Sequence, residues 1–286
     1  MPLGVHTSIG GGLHKSVERA VELGCDAFQI FSRNPRSWAY EPVDAGEAAL
    51  FRGAREKSGI SAVAVHATYL INLSSPDDVI FSKSVDLFKK ELGIAESLGA
   101  DYMVTHLGSF SGGTPELARA RVAQALRDIA AAGHGKNTMI LFENSAGAGS
   151  SYGSTLAEIG WIIKDAQSRG IRAGLCFDTC HAFAAGYPMR TRDEVKSLVK
   201  AIADDAGPGS LRLIHLNDSK GALGSRIDRH EHIGKGRIGK EGMREILSRK
   251  EFLAVPMILE TPKKEDKDDA RNLAAVRAII AAAPKS

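Results

Sequence analysis

The sequence predicts an α/β protein, a single-domain (β/α)8 TIM barrel whose functional site lies at the C-terminal face of the strands. Eight short runs rich in apolar and β-branched residues alternate with longer segments of helical periodicity along the 286-residue chain. Repeated β–α units indicate a parallel sheet, and eight units are the number that closes a TIM barrel. An open, doubly wound sheet of eight strands is the alternative. No linker or low-complexity tract interrupts the pattern, so residues 1–286 are predicted to form one domain.

The predicted helices begin and end at local sequence signals. The segments 75–77 (SPD) and 114–116 (TPE) each place a polar oxygen ahead of a proline that can start a helix. Gly24, Gly99 and Gly170 stand where helices should end. The predicted strands are residues 3–6, 26–31, 61–66, 101–106, 138–143, 172–178, 211–216 and 256–260. The predicted helices are residues 11–23, 45–57, 77–98, 115–132, 154–169, 191–205, 240–249 and 266–283.

The composition is typical of a soluble globular protein, with 43% hydrophobic and 25% charged residues. No apolar run reaches the roughly 18 residues needed to span a bilayer. The N-terminal segment MPLGVHTSIGGGLHK lacks the basic and then apolar pattern of a secretory signal. Three cysteines, an odd number, argue against a disulfide framework and for a reducing compartment. We therefore expect a cytoplasmic protein with no membrane partner.

Polar side chains end seven of the eight predicted strands. In a TIM barrel these ends surround one mouth, where the chemistry takes place. A lone histidine there is usually structural, but four imidazoles and three carboxylates facing one another need cations, because unpaired buried charge is costly. Mixed nitrogen and oxygen donors suit Zn²⁺ or Mn²⁺ better than Mg²⁺. The strand-end residues are His6, His66, His106, Glu143, Asp178, His215 and Glu260.

The segment CFDTCH at residues 176–181 places two cysteines beside one of these strand ends. Asp178 ends the sixth predicted strand and belongs to the ring, whereas His181 lies in the following loop, where it can reach a second position above the mouth. Three cysteines in the whole chain cannot form a Cys₄ site. Cys176 and Cys180 are therefore predicted to be bystanders, Cys176 as a small buried residue near the barrel interior.

The loop after the seventh predicted strand combines further ligand types with positive charge. Asp228 and His230 alternate along an extended segment and share one face, so they can bind another metal together with His181. Residues 220–250 contain nine Lys or Arg against four Asp or Glu, although the net charge of the chain is only +3. A basic stretch is often just a solvated surface, but here it permits a polyanionic partner.

Eight motifs occur in order along nearly the whole chain. They are GVHTSIGGGL at 4–13, SRNPRSW at 32–38, HATYLINL at 66–73, HLGSF at 106–110, ENSAGAGS at 143–150, GLCFDTCHAFAAGY at 174–187, HLNDSKGALGSRIDRHEHIGKG at 215–236 and ILET at 258–261. With these motifs the chain closely resembles the endonuclease IV family of apurinic/apyrimidinic (AP) DNA-repair endonucleases.

The resemblance implies a TIM barrel with a trinuclear zinc site at its mouth, and Mn²⁺ as a possible occupant of one or more sites. It places His6 near the site but not among the ligands, although His6 ends a predicted strand. His66, His106 and Glu143 would hold the first metal; Glu143, Asp178, His215 and Glu260 the second; and His181, Asp228 and His230 the third.

The implied activity is hydrolysis of the DNA phosphodiester 5′ to an abasic site, which leaves a 3′-hydroxyl and a 5′-deoxyribose phosphate in base excision repair. Removal of 3′-blocking groups is implied as well. Glu143 and Glu260 are the candidate catalytic residues, because a carboxylate at the centre can also assist proton transfer. The partner would be double-stranded DNA containing abasic sites, and the protein is expected to act as a monomer.

The resemblance also implies DNA contacts from the loops around the mouth. Family members insert side chains at the lesion and hold the baseless nucleotide out of the helix. Three residues match these wedge positions, and four basic residues of the loop after the seventh strand are candidates for phosphate contacts. The wedge residues are Arg36, Tyr69 and Leu70, and the phosphate contacts are Lys220, Arg229, Lys235 and Arg237.

Two other functions remain open from the residues alone. A sugar isomerase or epimerase resembling xylose isomerase would need only Glu, Asp, His and Glu ligands, a set that Glu143, Asp178, His215 and Glu260 can supply. The five other predicted ligands and the basic segment distinguish the endonuclease from such an enzyme. A DNA-damage-binding module without chemistry is the second alternative, and it is disfavoured because no ligand is missing.

Overall fold

Eight parallel strands close into a barrel in a computed structural model of the chain, which describes residues 1–282. The strand order around the barrel is β1-β10-β7-β6-β5-β4-β3-β2, so the first and last strands of the barrel are neighbours. This closure confirms the TIM barrel over the open sheet. The barrel strands are β1 (Leu3–His6), β2 (Ala27–Phe31), β3 (Ala62–His66), β4 (Tyr102–Thr105), β5 (Met139–Glu143), β6 (Ala173–Asp178), β7 (Leu211–His215) and β10 (Met257–Leu259).

Helices surround the barrel, and a small antiparallel ribbon lies in the loop after β7. The ribbon pairs β8 (Asp218–Ser219) with β9 (His230–Glu231). Among the described residues, no helix is long and apolar enough to cross a membrane. The helices are α1 (His14–Glu22), α2 (Ala45–Ser58), α3 (Asp78–Ser97), α4 (Pro115–Ala131), α5 (Leu156–Ser168), α6 (Thr179–Ala185), α7 (Arg192–Ala201), α8 (Gly239–Ile246), α9 (Lys250–Leu253) and α10 (Asp268–Ala281).

All eight predicted strands are present, and their ends differ from the prediction by at most one residue. The predicted helix 191–205 continues beyond α7 as a π-helical turn over Ile202–Ala206. The predicted helix 266–283 is α10, and residue 283 lies outside the described residues. The sequence analysis did not anticipate α6, α9 or the ribbon, because these elements are too short to show a clear periodicity.

Strand alternation divides each strand between the barrel interior and the helix layer. The interior beneath the mouth is filled by small and medium apolar side chains, including Ala64, Leu141 and Cys176. On β1 the interior position is Gly4, where an added Cβ would lie only 1.6 Å from the carbonyl oxygen of Ala27. The same alternation points the last interior residue of each strand into the mouth, so the barrel fixes the site.

Candidate metal centre

The carboxylate of Glu143, at the end of β5, lies at the centre of the mouth and is fully buried. Its Oε2 atom is 3.0 Å from His66 Nε2 and 3.3 Å from His106 Nε2. Its Oε1 atom is 2.8 Å from His215 Nδ1 and 3.3 Å from His181 Nδ1. One carboxylate therefore faces four imidazoles that come from separate elements.

The structure brings the nine predicted ligands together in overlapping groups. Within a group, one potential ligand atom of each residue lies within 4.8 Å of the others. Asp228 adjoins the group that contains His181, since its Oδ1 atom is 3.2 Å from His181 Nε2 and 3.5 Å from His230 Nε2. Three groups consist of predicted ligands alone: His66, His106 and Glu143; then Glu143, Asp178, His215 and Glu260; then Asp178, His181 and His230. Two further groups each include a cysteine: Glu143, Cys176 and His215; and Cys180, Asp228 and His230.

Asp178 links the strand-end ligands to those of the loops. It ends β6 and caps α6, where its Oδ1 atom accepts a hydrogen bond of 2.7 Å from the backbone N–H of His181. Its Oδ2 atom accepts 2.7 Å from Asn217 Nδ2 and lies 3.7 Å from His230 Nε2. The short helix that follows Asp178 thus places the His181 ring above the mouth.

Three of the imidazoles are oriented by backbone carbonyl groups. A carbonyl oxygen can only accept, so the Nδ1 atom that faces it must carry the hydrogen. This leaves Nε2 as the nitrogen with the free lone pair in the neutral ring, the arrangement typical of histidines that bind metals. The Nδ1 distances are 2.7 Å from His66 to Ala67, 3.0 Å from His181 to Asn144 and 2.8 Å from His230 to Glu260.

The free nitrogens of these rings face carboxylates or have no partner. His66 Nε2 faces Glu143, and His181 Nε2 faces Asp228. Among residues 1–282, His230 Nε2 is buried without a hydrogen-bond partner, although Asp228 Oδ1 lies 3.5 Å away. A lone pair next to a carboxylate oxygen is repulsive unless a cation lies between them. The donor atoms and their orientation therefore fit bound divalent metal ions.

The buried carboxylates of the centre also favour bound cations. Burial acts to raise the pKa of Glu143, but His106 and His215 outweigh it and hold that pKa well below its usual range. Burial lowers the pKa of His106. Burial would lower the pKa of His181 too, but Asp178 and Asp228 raise it well above its usual value. Ionised carboxylates thus persist in a buried site, where protons on the imidazoles and metal ions compete as counter-charges.

The two cysteines near the mouth are buried neutral thiols. Burial raises the pKa of Cys176 and the pKa of Cys180 to about 12 each. Cys176 belongs to the apolar interior, as predicted, although its sulfur is near ligand atoms of Glu143 and His215. Cys180 donates to the backbone carbonyl of Arg229 at 3.6 Å. That neither cysteine binds a metal stays a prediction.

A cavity of about 840 Å³ opens above the centre, and its lining combines the carboxylates Asp228 and Glu260 with apolar, polar and basic side chains. Tyr69 is 63% exposed and packs edge-on against Phe31, with ring centroids 5.1 Å apart. Arg229, Arg33 and Lys263 line the same cavity. A wide, basic mouth with an exposed aromatic ring is suited to an extended anionic ligand.

The predicted DNA contacts fall into two sets. Tyr69 and Arg229 line the cavity. The other five do not: Leu70 is half-buried, and the remaining four side chains are exposed outside the cavity. Lys220 lies 3.7 Å from Glu231, which partly neutralises it. The four exposed residues outside the cavity are Arg36, Lys220, Lys235 and Arg237.

Three buried amides that hold the predicted ligands, Gln29, Asn144 and Asn217, were not predicted from the sequence. Asn144 brackets the backbone of Asp178, because its Oδ1 accepts from the Asp178 N–H at 2.8 Å and its Nδ2 donates to the carbonyl. Asn217 accepts from the Glu260 N–H at 2.8 Å. Gln29 contacts two ligands directly. Gln29 interrupts an apolar run, and Asn144 and Asn217 each follow one. A polar amide at such a position was the sequence feature that could have identified these residues.

A closed (β/α)8 barrel with this ring of imidazoles and carboxylates at its C-terminal face defines a metal-binding TIM-barrel protein. A family described as xylose isomerase-like TIM barrel matches residues 17–280. The probable endonuclease 4 of Methanoculleus marisnigri is 44% identical over 280 residues, which are 98% of this chain and 99% of that protein. The probable endonuclease 4 of Chloroflexus aurantiacus is 41% identical over 97% of each chain.

A solved structure agrees with these relatives. Endonuclease IV from Thermus thermophilus superposes with a TM-score of 0.86 at 37% identity, covering 98% of this chain and 99% of that one. The chain belongs to the endonuclease IV family, which confirms the resemblance of its motifs. A D-tagatose 3-epimerase-like protein also superposes, with a TM-score of 0.73 over 98% of this chain, but at 20% identity that likeness shows the fold alone.

Proposed function

We propose that this chain is a metal-dependent AP endonuclease that hydrolyses the DNA phosphodiester 5′ to an abasic site in base excision repair. Its products would be a 3′-hydroxyl and a 5′-deoxyribose phosphate. The observation that carries the proposal is the outer part of the centre, in which His181 lies on α6, not in a loop as predicted, and Asp228 and His230 lie in the segment after β7. Asp228 Oδ1 lies 3.2 Å from His181 Nε2 and 3.5 Å from His230 Nε2, so one carboxylate contacts both imidazoles. A sugar isomerase needs only the four strand-end ligands, so these residues favour the endonuclease.

We further propose that the centre holds three Zn²⁺ ions per chain, with Mn²⁺ able to replace one or more. Divalent metals supply Lewis acidity, which lowers the pKa of a water nucleophile and neutralises charge on a phosphodiester. Four ligand carboxylates would leave such a centre with a net positive charge, which suits an anionic substrate. The first group is His66, His106 and Glu143; the second is Glu143, Asp178, His215 and Glu260; and the third is His181, Asp228 and His230.

Within this centre the two glutamates differ in their access to substrate. Glu143 is buried beneath four imidazoles and holds them together. Glu260 lines the cavity and is only partly buried, with its Oε2 atom 3.3 Å from His215 Nδ1. Glu260 can therefore reach a proton on a reacting oxygen, whereas Glu143 is restricted to holding ligands. Both stay ionised, because neighbouring imidazoles lower their pKa values despite burial.

Recognition of a missing base would use the loops around the cavity. Tyr69 stands exposed at the cavity edge and, with Leu70 and Arg36, would occupy the gap in the duplex. Flipping a nucleotide costs least where no base pairs or stacks, so a wedge of this kind selects abasic sites. The phosphate contacts would come from Lys220, Arg229, Lys235 and Arg237.

The remaining properties rest on the family and on the composition. We propose that residues 1–286 act as one domain, that the protein works as a cytoplasmic monomer, and that it also removes 3′-blocking groups. Sedimentation with and without a short abasic duplex tests the monomer. A duplex with a 3′-phosphoglycolate end tests the removal of blocking groups, since only loss of that group permits primer extension.

One incision assay separates the three candidate functions. The zinc-loaded protein is incubated with a 5′-labelled duplex that carries a single tetrahydrofuran abasic analogue, with and without a chelator. We expect a cut 5′ to the analogue that disappears with chelator and returns when Zn²⁺ or Mn²⁺ is added. The same duplex with an intact base is the control and should stay whole. Binding without incision would favour the damage-binding module, and turnover of an aldose would favour the isomerase.

A further inference from the structure

Gln29 lies on β2, and among the barrel strands of residues 1–282 neither β1 nor β2 contributes a proposed metal ligand. It is completely buried in the middle of the apolar run AFQIF and faces the barrel interior beneath the mouth. Its strand neighbours in register are His6 on β1 and Ala64 on β3. A buried amide at this position is costly unless all of its hydrogen-bonding groups have partners.

The amide of Gln29 makes three hydrogen bonds, all to side chains of the mouth. Its Nε2 atom is 2.7 Å from Glu260 Oε1 and 3.0 Å from His6 Nδ1. Its Oε1 atom is 2.9 Å from His215 Nε2. Two donor hydrogens and one acceptor oxygen are thus all used, and two of the three partners are proposed metal ligands.

These contacts fix the orientation of the amide and the position of hydrogens on both rings. An ionised carboxylate can only accept, so the Gln29 atom that faces Glu260 must be the NH₂ group. Its second hydrogen then points to His6 Nδ1, which accepts. The carbonyl oxygen of Gln29 faces His215 Nε2, so this ring nitrogen must carry a hydrogen. The Nδ1 atom of His215 is left to face Glu143 at 2.8 Å.

His215 therefore differs from the other oriented histidines of the centre. His66, His181 and His230 turn Nε2 towards the ligands and hold Nδ1 against backbone carbonyls. His215 is reversed: it presents Nδ1 to the ligands and holds Nε2 against a side chain. A backbone carbonyl cannot be removed by substitution, but the amide of Gln29 can.

We propose that Gln29 is a positioning residue of the metal centre, which sets His215 to bind metal through Nδ1 and fixes the carboxylate of Glu260. The inference rests on the proposed function, because it takes His215 and Glu260 to be metal ligands. Groups that orient metal-binding histidines typically change metal affinity by about 10–100-fold when they are removed. Gln29 acts through these two ligands and needs no contact with substrate.

The test compares Gln29→Met with the wild type and with a matched control. Methionine has a similar length and no donor or acceptor of comparable strength, so all three hydrogen bonds are lost while the interior stays filled. Ile30→Ala is the control, because Ile30 is buried on the same strand and points to the opposite face. It destabilises β2 without touching the centre.

Zinc affinity is measured by competition with a chromophoric chelator, and the visible spectrum is measured after Co²⁺ substitution. We expect Gln29→Met to bind zinc at the site of His215 and Glu260 about 10–100-fold less tightly and to change the cobalt spectrum. Ile30→Ala should lower the melting temperature and leave both readouts as in the wild type. Equal zinc affinity and an unchanged cobalt spectrum in Gln29→Met would overturn the role of Gln29, as would an equal loss in Ile30→Ala.

A second variant guards against misfolding of the first. Gln29→Leu also removes all three hydrogen bonds and fills the interior with an apolar side chain, so we expect the same loss of zinc affinity. Zinc affinity equal to wild type in this variant would overturn the role of Gln29. Wild-type protein that binds no zinc and leaves abasic DNA intact would overturn the proposed function as well. If the wild type binds zinc and cleaves abasic DNA, and Gln29→Met does both equally well, only the role of Gln29 is overturned.

Discussion

The strand-end half and the loop half of the metal centre are built in different ways. Glu143, Asp178 and His215 are completely buried at the ends of neighbouring strands, where the barrel register fixes them. Asp228 is 57% exposed and His230 is partly exposed, and both belong to the long loop after β7. The barrel thus positions the strand-end residues, whereas the outer residues depend on a loop that lines the cavity.

A buried aspartate holds this loop in place. Asp218 is fully buried, and its carboxylate accepts hydrogen bonds from the backbone N–H groups of Gly236 at 2.9 Å and Ile238 at 3.0 Å. A Cβ added to Gly236 would lie 2.5 Å from Asp218 Oδ1, so glycine is needed for this close approach. The loop half is therefore ordered by local contacts that the barrel does not supply.

We expect the largest effect when Glu143, the central carboxylate of the strand-end half, is neutralised. Glu143→Gln removes the charge that four imidazoles face, so we expect loss of bound metal and a fall in incision of at least about 10³-fold. Metal analysis of the purified variant and single-turnover incision measure the two effects. Glu91→Gln is the control for metal content: Glu91 is also fully buried, but it pairs with Arg33 at 3.2 Å and with the Thr68 N–H at 3.0 Å rather than with a proposed metal ligand.

The control should lose stability and keep its metal. Breaking a buried ion pair typically costs about 3–5 kcal/mol, so the melting temperature of Glu91→Gln should fall. Full metal content in Glu143→Gln, or equal metal loss in both variants, would mean that the strand ends do not form the base of the centre.

Much of the strand-end half could be predicted from the sequence. Alternation along a buried strand points its last interior residue into the mouth, so His66, Glu143 and Asp178 could be located without coordinates. Gln29 could not, because its partners His215 and Glu260 are 186 and 231 residues away along the chain. Sequence patterns show which face a residue occupies, but they do not show which distant groups meet there.

The loop half was predicted mainly through the motif resemblance. The spacing of Asp228 and His230 indicated a shared face, but the ribbon of β8 and β9 that holds His230 was not anticipated. Two-residue strands leave no periodic signal. The positions of Lys235 and Arg237 outside the cavity follow from the turns of this loop, which depend on the contacts of Asp218.

Neutralising a loop ligand should have a smaller effect than neutralising Glu143. We expect Asp228→Asn to remove one of the three proposed metal ions and to slow incision by about 10²-fold, because the strand-end ligands stay in place. Asp204→Asn is a matched control, since Asp204 is 55% exposed and pairs with Lys200, four residues earlier at the end of α7. Metal content and single-turnover incision are measured for both. Loss of all metal in Asp228→Asn would mean that the two halves form one cooperative unit.

Substitution of basic residues in the loop after β7 tests whether this loop also contacts the phosphates of DNA. We expect Lys235→Ala and Arg237→Ala each to weaken binding of abasic DNA several-fold and to reduce the slope of log affinity against log salt by about 1. Both should retain full metal content. Lys164→Ala, an exposed lysine of α5, is the control and should change neither quantity. Affinity of the wild type that does not vary with salt would contradict the proposed phosphate contacts.

The smallest effect is expected at Cys176, which lies directly beneath the strand-end ligands. Its sulfur is close enough to Glu143 and His215 to form a ligand group with them. Burial raises the pKa of Cys176 to about 12, which disfavours the thiolate form that binds zinc. Oxygen and nitrogen ligands already surround that position, and the thiol packs among apolar side chains of the barrel interior.

Cys176→Ala should therefore cost only the loss of packing, about 1 kcal/mol of the free energy of unfolding, and should leave incision within about 3-fold of wild type. Cys25→Ala is the matched control, because Cys25 is also buried and protonated, with a pKa of about 11, far from the mouth. Thermal melts and incision rates are compared for the two. If Cys176→Ala loses metal or slows incision by about 10²-fold while Cys25→Ala does not, the thiol is a ligand and the base of the centre extends one layer deeper into the barrel.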